Sequence, residues 1–154
     1  MIEAINAVTQ DEESLREIEE EIAQRKAALA AREDYQRSFA FGLRVHSTLK
    51  PLMNDSEELQ DDDVLTAFRD SLVIAAKLSG ANAMGEDETV LCGNIVYCRK
   101  ALAAAESCVA ALEKLTGRHE LDADTLNALL DEGREVTRLV EAHIDGLRGK
   151  VWWQ

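Results

Sequence analysis

The sequence predicts an all-α protein, an antiparallel helical bundle built from three long helices and one shorter helix. Apolar residues recur at helical spacing along most of the chain, and no stretch alternates apolar and polar residues as a strand does. The chain has 154 residues, 46% of them hydrophobic, and a single proline. This length and composition indicate one folded domain that needs no disulfides or metals to form a core.

The first helix is predicted over about residues 10–50, as one continuous helix or two helices in line. Thr9 followed by Glu12 has the pattern of a capping box, and Pro51 marks the end. The predicted core stripe follows a 3,4 spacing, with Arg25, Arg32 and Gln36 at intervening core positions. Its members are Leu15, Ile18, Ile22, Leu29, Phe39, Leu43 and His46.

The second helix is predicted over about residues 63–79, after an acidic connection from Asn54 that ends in an N-terminal cap. Gly80 is the expected stop signal, and SGANAMG is the expected turn. Two apolar stripes run along this helix, so we expect it to be central. One stripe contains Leu65, Phe68, Leu72 and Ala76, and the other contains Val64, Ile74 and Leu78.

The last two helices are predicted over about 86–116 and 123–150, joined by a short connection that makes them an antiparallel hairpin. Gly117 is the stop signal of the first, and Asp122 is the N-cap of the second. The core stripe of the first contains Leu91, Ile95, Cys98, Leu102, Ala105, Val109 and Leu112. That of the second contains Leu126, Leu129, Gly133, Val136, Val140, His143 and Leu147.

Helices of roughly 30 to 40 residues would be about 45 to 60 Å long, which is long for a compact bundle of this size. An elongated coiled-coil hairpin is therefore the alternative architecture. The long apolar stripes also exceed what one short helix can cover, so we expect a homo-oligomer.

The chain is strongly acidic, with a net charge of -13. This charge opposes direct binding to nucleic acid or to anionic lipid. Residues 1–63 carry 16 of the 30 acidic residues but 7 basic ones. The simplest interpretation is that these acidic residues lie on solvent-exposed helix faces. A more specific hypothesis is that they form a surface that binds a basic or nucleic-acid-binding protein, and that this protein is an inhibitor that imitates nucleic acid. The candidate contact residues are Glu19, Glu20, Glu21, Asp61, Asp62 and Asp63.

Both tryptophans, Trp152 and Trp153, lie within the last three residues. Leu147 and Val151 extend the stripe of the last helix toward them. We expect the two rings either to pack on the chain's own bundle or a sister subunit, or to anchor a partner protein, because aromatic anchors often dominate interfaces.

The three cysteines, Cys92, Cys98 and Cys108, are odd in number and are spaced by six and ten residues, which matches neither a metal motif nor a disulfide framework. No secretory signal or membrane-spanning segment is evident, so we expect a cytoplasmic protein. Because no metal or cofactor motif was found, we also expect no cofactor and no metal.

One enzyme class remains as an alternative. "RLVEAH", from Arg138 to His143, resembles the Arg-x4-His pair of all-α nuclease domains of the higher-eukaryote-and-prokaryote nucleotide-binding type, and that resemblance implies a metal-independent RNase. The Glu-x-x-His pairs of di-iron bundles and the phosphate-binding glycine loops are missing. The preferred interpretation is a non-enzymatic protein that acts by protein-protein binding, as an adaptor, chaperone, inhibitor or structural subunit.

Overall fold

The computed structural model describes residues 2–53, 61–119 and 121–151. Within these ranges the protein is all-α, with five helices that confirm the predicted fold class. Helix α1 spans Ile2–Ala31, α2 spans Glu33–Leu49, α3 spans Asp62–Met84, α4 spans Leu91–Lys114 and α5 spans Ala123–Arg148. A short 3-10 turn, Lys50–Leu52, follows α2 at the predicted Pro51 stop. None of the described helices is long and apolar enough to cross a membrane.

Four of the helices form the bundle. Helix α2 packs against α3 and α5, and α4 packs against the same two neighbours, while α1 makes a few contacts with α2 and α3. The bundle therefore has two ends. The Arg32 end contains the start of α2, the α3–α4 connection and the end of α5, and the Asp61 end contains the start of α3 and the α4–α5 connection.

Of the two alternatives for the first segment, one continuous helix or two, the structure has two helices, because the chain leaves the helical conformation at Arg32 with φ -75° and ψ 131°. Glu33 and Asp34 then occupy the first turn of α2, where negative charge is favourable. The side-chain amide of Gln36 donates to the carbonyl of Ala30 at 2.6 Å, which satisfies an acceptor exposed by the end of α1. The predicted start at Thr9 is wrong, since α1 already begins at Ile2.

The core stripe predicted for this segment is also wrong over most of its length. Beyond the break, α2 turns Phe41, Val45 and Leu49 into the core, and Phe39 and Leu43 remain outside. Before the break, Leu29 is buried, but the earlier members of the stripe lie on the part of α1 that extends beyond the end of the bundle. The exposed members are Leu15, Ile18, Ile22, Phe39 and Leu43.

Helix α3 begins as predicted, with the Asp61 carboxylate accepting from the backbone amides of Asp63 and Val64. Its predicted end at Gly80 is wrong, since the helix continues to Met84 and stops at Gly85, which has φ +82°. Gly80 instead provides room for the Tyr97 ring of α4, which lies 3.2 Å from where a Cβ atom would stand. Of the two predicted stripes, Val64, Ile74 and Leu78 form the buried one.

Helices α4 and α5 follow the predicted stripes closely. The predicted stripe of α4 is buried except for half-buried Leu102, and that of α5 is buried except for half-buried His143. Asp122 caps α5 by accepting from the Thr125 amide at 2.9 Å. Helix α4 is shorter than predicted, because residues 86–90 form the turn after α3.

Gly42 sets the spacing between α2 and α3. A Cβ atom there would stand 2.8 Å from the backbone oxygen of Ser71. We expect Gly42→Ala to lower the free energy of unfolding by about 1 to 3 kcal/mol, because one of the two helix backbones must move.

Gly146 is the matched control, since nothing lies within 4 Å of its Cβ position. Gly146→Ala should stabilise the protein by up to about 1 kcal/mol in urea unfolding. Equal effects of the two changes would contradict this packing.

The Arg32–Asp34 pair holds the break in place. Its atoms meet through Nε–Oδ1 at 3.0 Å and Nη2–Oδ2 at 2.6 Å, and Asp34 is buried. Arg32→Met should cost roughly 2 to 3 kcal/mol, because it leaves a buried carboxylate without its partner. Adding Asp34→Leu should recover part of that loss. Urea unfolding of both variants checks this, and a double variant less stable than the single one would contradict it.

Candidate functional site

The first 15 residues of α1 with described side chains, Gln10 to Gln24, are all exposed. We call this segment the arm. Its base is fixed to the end of α3, where Arg25 donates to the Ala83 carbonyl at 3.2 Å and the Asn82 amide donates to the Arg25 carbonyl at 3.2 Å. The arm thus leaves the bundle at the Arg32 end, with no bundle helix along it.

The arm has two chemically distinct faces. Leu15, Ile18 and Ile22 are separated by three and four residues, so they lie on one side of the helix. Glu13, Glu17 and Glu20 lie on the opposite side at the same kind of spacing. The arm carries seven acidic residues and one basic residue in all. It is an amphipathic helix with neither face covered.

A second apolar surface lies between α2 and α3, and we call it the groove. It has a volume of about 280 Å³ and ten lining residues, none of them charged. The exposed walls are Phe39, Leu43 and Leu72, which are 52%, 55% and 44% exposed. The lining consists of Tyr35, Ser38, Phe39, Gly42, Leu43, Ser71, Leu72, Ala75, Ala76 and Ser79.

The buried floor of the groove offers no free hydroxyl donor. Ser38 donates to the Asp34 carbonyl at 2.6 Å, and Ser71 donates to the Phe68 carbonyl at 2.9 Å. Both are carbonyls of the serine's own helix, so these hydrogen bonds do not depend on a ligand. The groove can therefore take apolar side chains and has little with which to orient a polar molecule.

A polar cluster occupies the interior near the Arg32 end. Burial raises the pKa of the Cys98 thiol to about 11, so it remains protonated at neutral pH. Its Sγ donates to Oδ1 of buried Asn94 at 3.4 Å, and Asn94 donates to the Gly85 carbonyl at 2.8 Å. These bonds fix the start of α4 to the end of α3. A protonated thiol is a weak nucleophile, so the cluster suits a structural role.

The predicted nuclease pair does not share a face of α5. Arg138 and His143 are five residues apart, which places them about 140° apart around the helix. The Arg138 guanidinium binds the Glu135 carboxylate through two hydrogen bonds of 2.9 and 2.6 Å. His143 instead lies half-buried on the core stripe, where burial and the charge of Arg32 lower its pKa. RNA cleavage by this pair remains a prediction without geometric support.

The predicted acidic contact residues lie in two different settings. Glu19, Glu20 and Glu21 are exposed on the arm, with Glu21 bound to Arg25 at 2.6 Å. At the Asp61 end, two of the three aspartates bind the α4–α5 connection. Asp61 pairs with Arg118 and with His119, Asp63 pairs with Arg118 at 2.8 Å, and Asp62 is exposed.

The hydrogen bond from His119 is the main cause that lowers the pKa of Asp61 to about 2. This carboxylate both caps α3 and joins it to the chain beyond α4, which is a structural role. The predicted partner anchors Trp152 and Trp153 lie outside the described residues. The residue before them, Val151, is buried, and Lys150 binds Glu86 at 2.5 Å.

Neither the groove nor the burial of Asp34 was predicted from the sequence. A competing spacing of Phe41, Val45 and Leu49 was present in the sequence and would have placed Phe39 and Leu43 outside. Where the chain is described, no three His, Cys, Asp or Glu side chains are grouped so that they could hold a metal ion.

His143 should make the stability depend on pH. Its pKa in the folded protein lies below the ordinary value of 6.5, so the unfolded chain binds the proton more strongly. The stabilisation is complete above pH 6.5 and falls as the pH drops through that value. We expect the free energy of unfolding to decrease from pH 7 to pH 5 in wild type, and less so in His143→Gln. Asp61 does not interfere, because its contribution is lost only between its ordinary pKa of 3.8 and about 2. Identical pH profiles would contradict the assignment.

Comparisons with known proteins give a likeness of fold. No family model matches the sequence, and no curated protein matches it. The structure is similar to that of a protein of unknown function from the S23 ribosomal protein family of Bacteroides thetaiotaomicron, with a TM-score of 0.60 and 19% sequence identity. The alignment covers 72% of this chain and 97% of that one. At this identity, the similarity shows a shared helical fold.

Proposed function

We propose that this protein acts by binding another protein, with the arm as the contacting segment. The observation that carries the proposal is the exposure of every residue from Gln10 to Gln24 on a helix whose base is fixed to the bundle. A stable bundle has no need of these residues for its own core. An anchored helix loses less conformational freedom on binding than a free peptide, which favours its use in recognition.

The charge of the arm favours a basic partner. Glu13, Glu17 and Glu20 form an exposed acidic row on one side. Negative charges at regular spacing along a helix can complement a basic, phosphate-binding surface on another protein. The narrower form of the proposal is therefore an inhibitor that occupies such a surface in place of nucleic acid.

The test is affinity capture from extracts of the native host on immobilised full-length protein. Glu13→Gln/Glu17→Gln/Glu20→Gln should weaken binding to a basic protein about tenfold, because three exposed ion pairs of about 0.5 kcal/mol each are removed. The matched control removes three exposed acids on α4 and α5 and should capture like wild type. It is Glu106→Gln/Glu141→Gln/Asp145→Asn.

Salt and competition complete the test. Binding should weaken steeply between about 50 and 500 mM salt, since exposed charges are screened within a few ångströms at the higher value. Added duplex DNA or RNA should release the partner if the arm occupies a nucleic-acid-binding surface. Equal capture by the two triple variants, or capture that does not depend on salt, would contradict the proposal.

A further inference from the structure

Two apolar surfaces of this chain are exposed at the same time, the stripe of the arm and the groove between α2 and α3. We infer that the arm of one copy docks in the groove of a second copy, with Leu15, Ile18 and Ile22 against Phe39, Leu43 and Leu72. This assembly deepens the proposed function, because it would hold the arm in place with its acidic face outward.

The stripe of the arm continues an existing packing interface. Leu15, Ile18 and Ile22 share a heptad phase with Arg25 and Leu29. Leu29 is buried, and Arg25 contacts the end of α3. The same face of α1 that packs on the bundle therefore runs on past its end, with side chains 60%, 52% and 48% exposed. A second copy of the chain can cover the exposed part of this apolar face.

The groove is suited to an acidic amphipathic helix. None of its ten lining residues is charged, in a chain with 30 acidic residues. The chain has a net charge of -13, so an uncharged surface of a second copy repels the acidic arm less than an acidic surface does. The arm's apolar side chains would lie in the groove while Glu13, Glu17 and Glu20 remained in water.

The arm and the groove are different patches, so each contact joins an arm of one copy to a groove of another. In a reciprocal exchange, two copies make two such contacts, and each copy contributes the apolar side of its arm together with its ten groove residues. In a ring, each copy makes one contact with the next copy and one with the previous copy.

The experiment uses two triple variants of the full-length protein. The arm variant is Leu15→Gln/Ile18→Gln/Ile22→Gln, and the groove variant is Phe39→Gln/Leu43→Gln/Leu72→Gln. All six side chains are substantially exposed, so both variants should keep the helical circular dichroism of wild type. Val96→Gln is the matched control, because Val96 is an exposed apolar residue that belongs to neither surface.

Light scattering at about 50 µM, above the Kd of a moderate interface, should show an oligomer for wild type and Val96→Gln. Each triple variant alone should be a monomer of 17.0 kDa. An equimolar mixture of the two should form a one-to-one complex, because the groove variant keeps its arm and the arm variant keeps its groove. That complementation is specific to arm-to-groove docking between copies.

Three outcomes would overturn the inference. A monomeric wild type would mean that copies do not associate, or that the arm folds back on its own groove. A groove variant that still forms the wild-type oligomer would mean that arms pair with each other. A mixture that stays monomeric would mean that the two surfaces do not meet. All of these variants retain the acidic residues, so failure here is distinguishable from failure to capture a basic partner.

Discussion

The rest of the structure depends on the single non-helical step at Arg32. A continuous helix would have kept Leu29, Phe39 and Leu43 in one stripe. The extended backbone at Arg32 instead lets α2 turn a different set of residues into the core, and the ion pair of Arg32 with buried Asp34 stabilises this arrangement. One local conformation therefore decides both which part of the chain folds into the bundle and which part leaves it.

The break at Arg32 therefore affects both the core and the surface of the protein. Four helices form the core. At one end Asp61 caps α3 and binds the α4–α5 connection, and at the other end Asn94 of α4 donates to the Gly85 carbonyl at the end of α3. The surface has an acidic amphipathic arm and an uncharged groove on the same molecule. Inside the bundle, the Cys98 thiol is protonated at neutral pH, and on its surface Arg138 binds Glu135. The proposed binding of a partner protein rests on the arm.

The fold was predictable from the sequence where one apolar phase dominates. In α4 and α5 the stripes from Leu91 and from Leu126 have no competitor, and the Asp122 cap is explicit. In the first 50 residues two apolar spacings compete, one that includes Phe39 and Leu43 and one that includes Phe41 and Val45. The ion pair at the break favours the second spacing and buries the Asp34 carboxylate. A pattern of hydrophobic residues does not predict a buried charge. The groove depends on the same decision, together with the close helix approach at Gly42, so it could be found only in three dimensions.

The central claim is that the arm is a helix anchored to the bundle but not covered by its own chain. Residue-resolved amide hydrogen exchange on dilute protein, below the concentration at which copies associate, tests it most directly, because exchange reports local opening. We expect residues 10–24 to exchange orders of magnitude faster than the cores of α3 and α4, with protection beginning near Leu29. Protection of residues 10–24 equal to that of α4 would mean that the arm packs within its own chain, and would contradict the account.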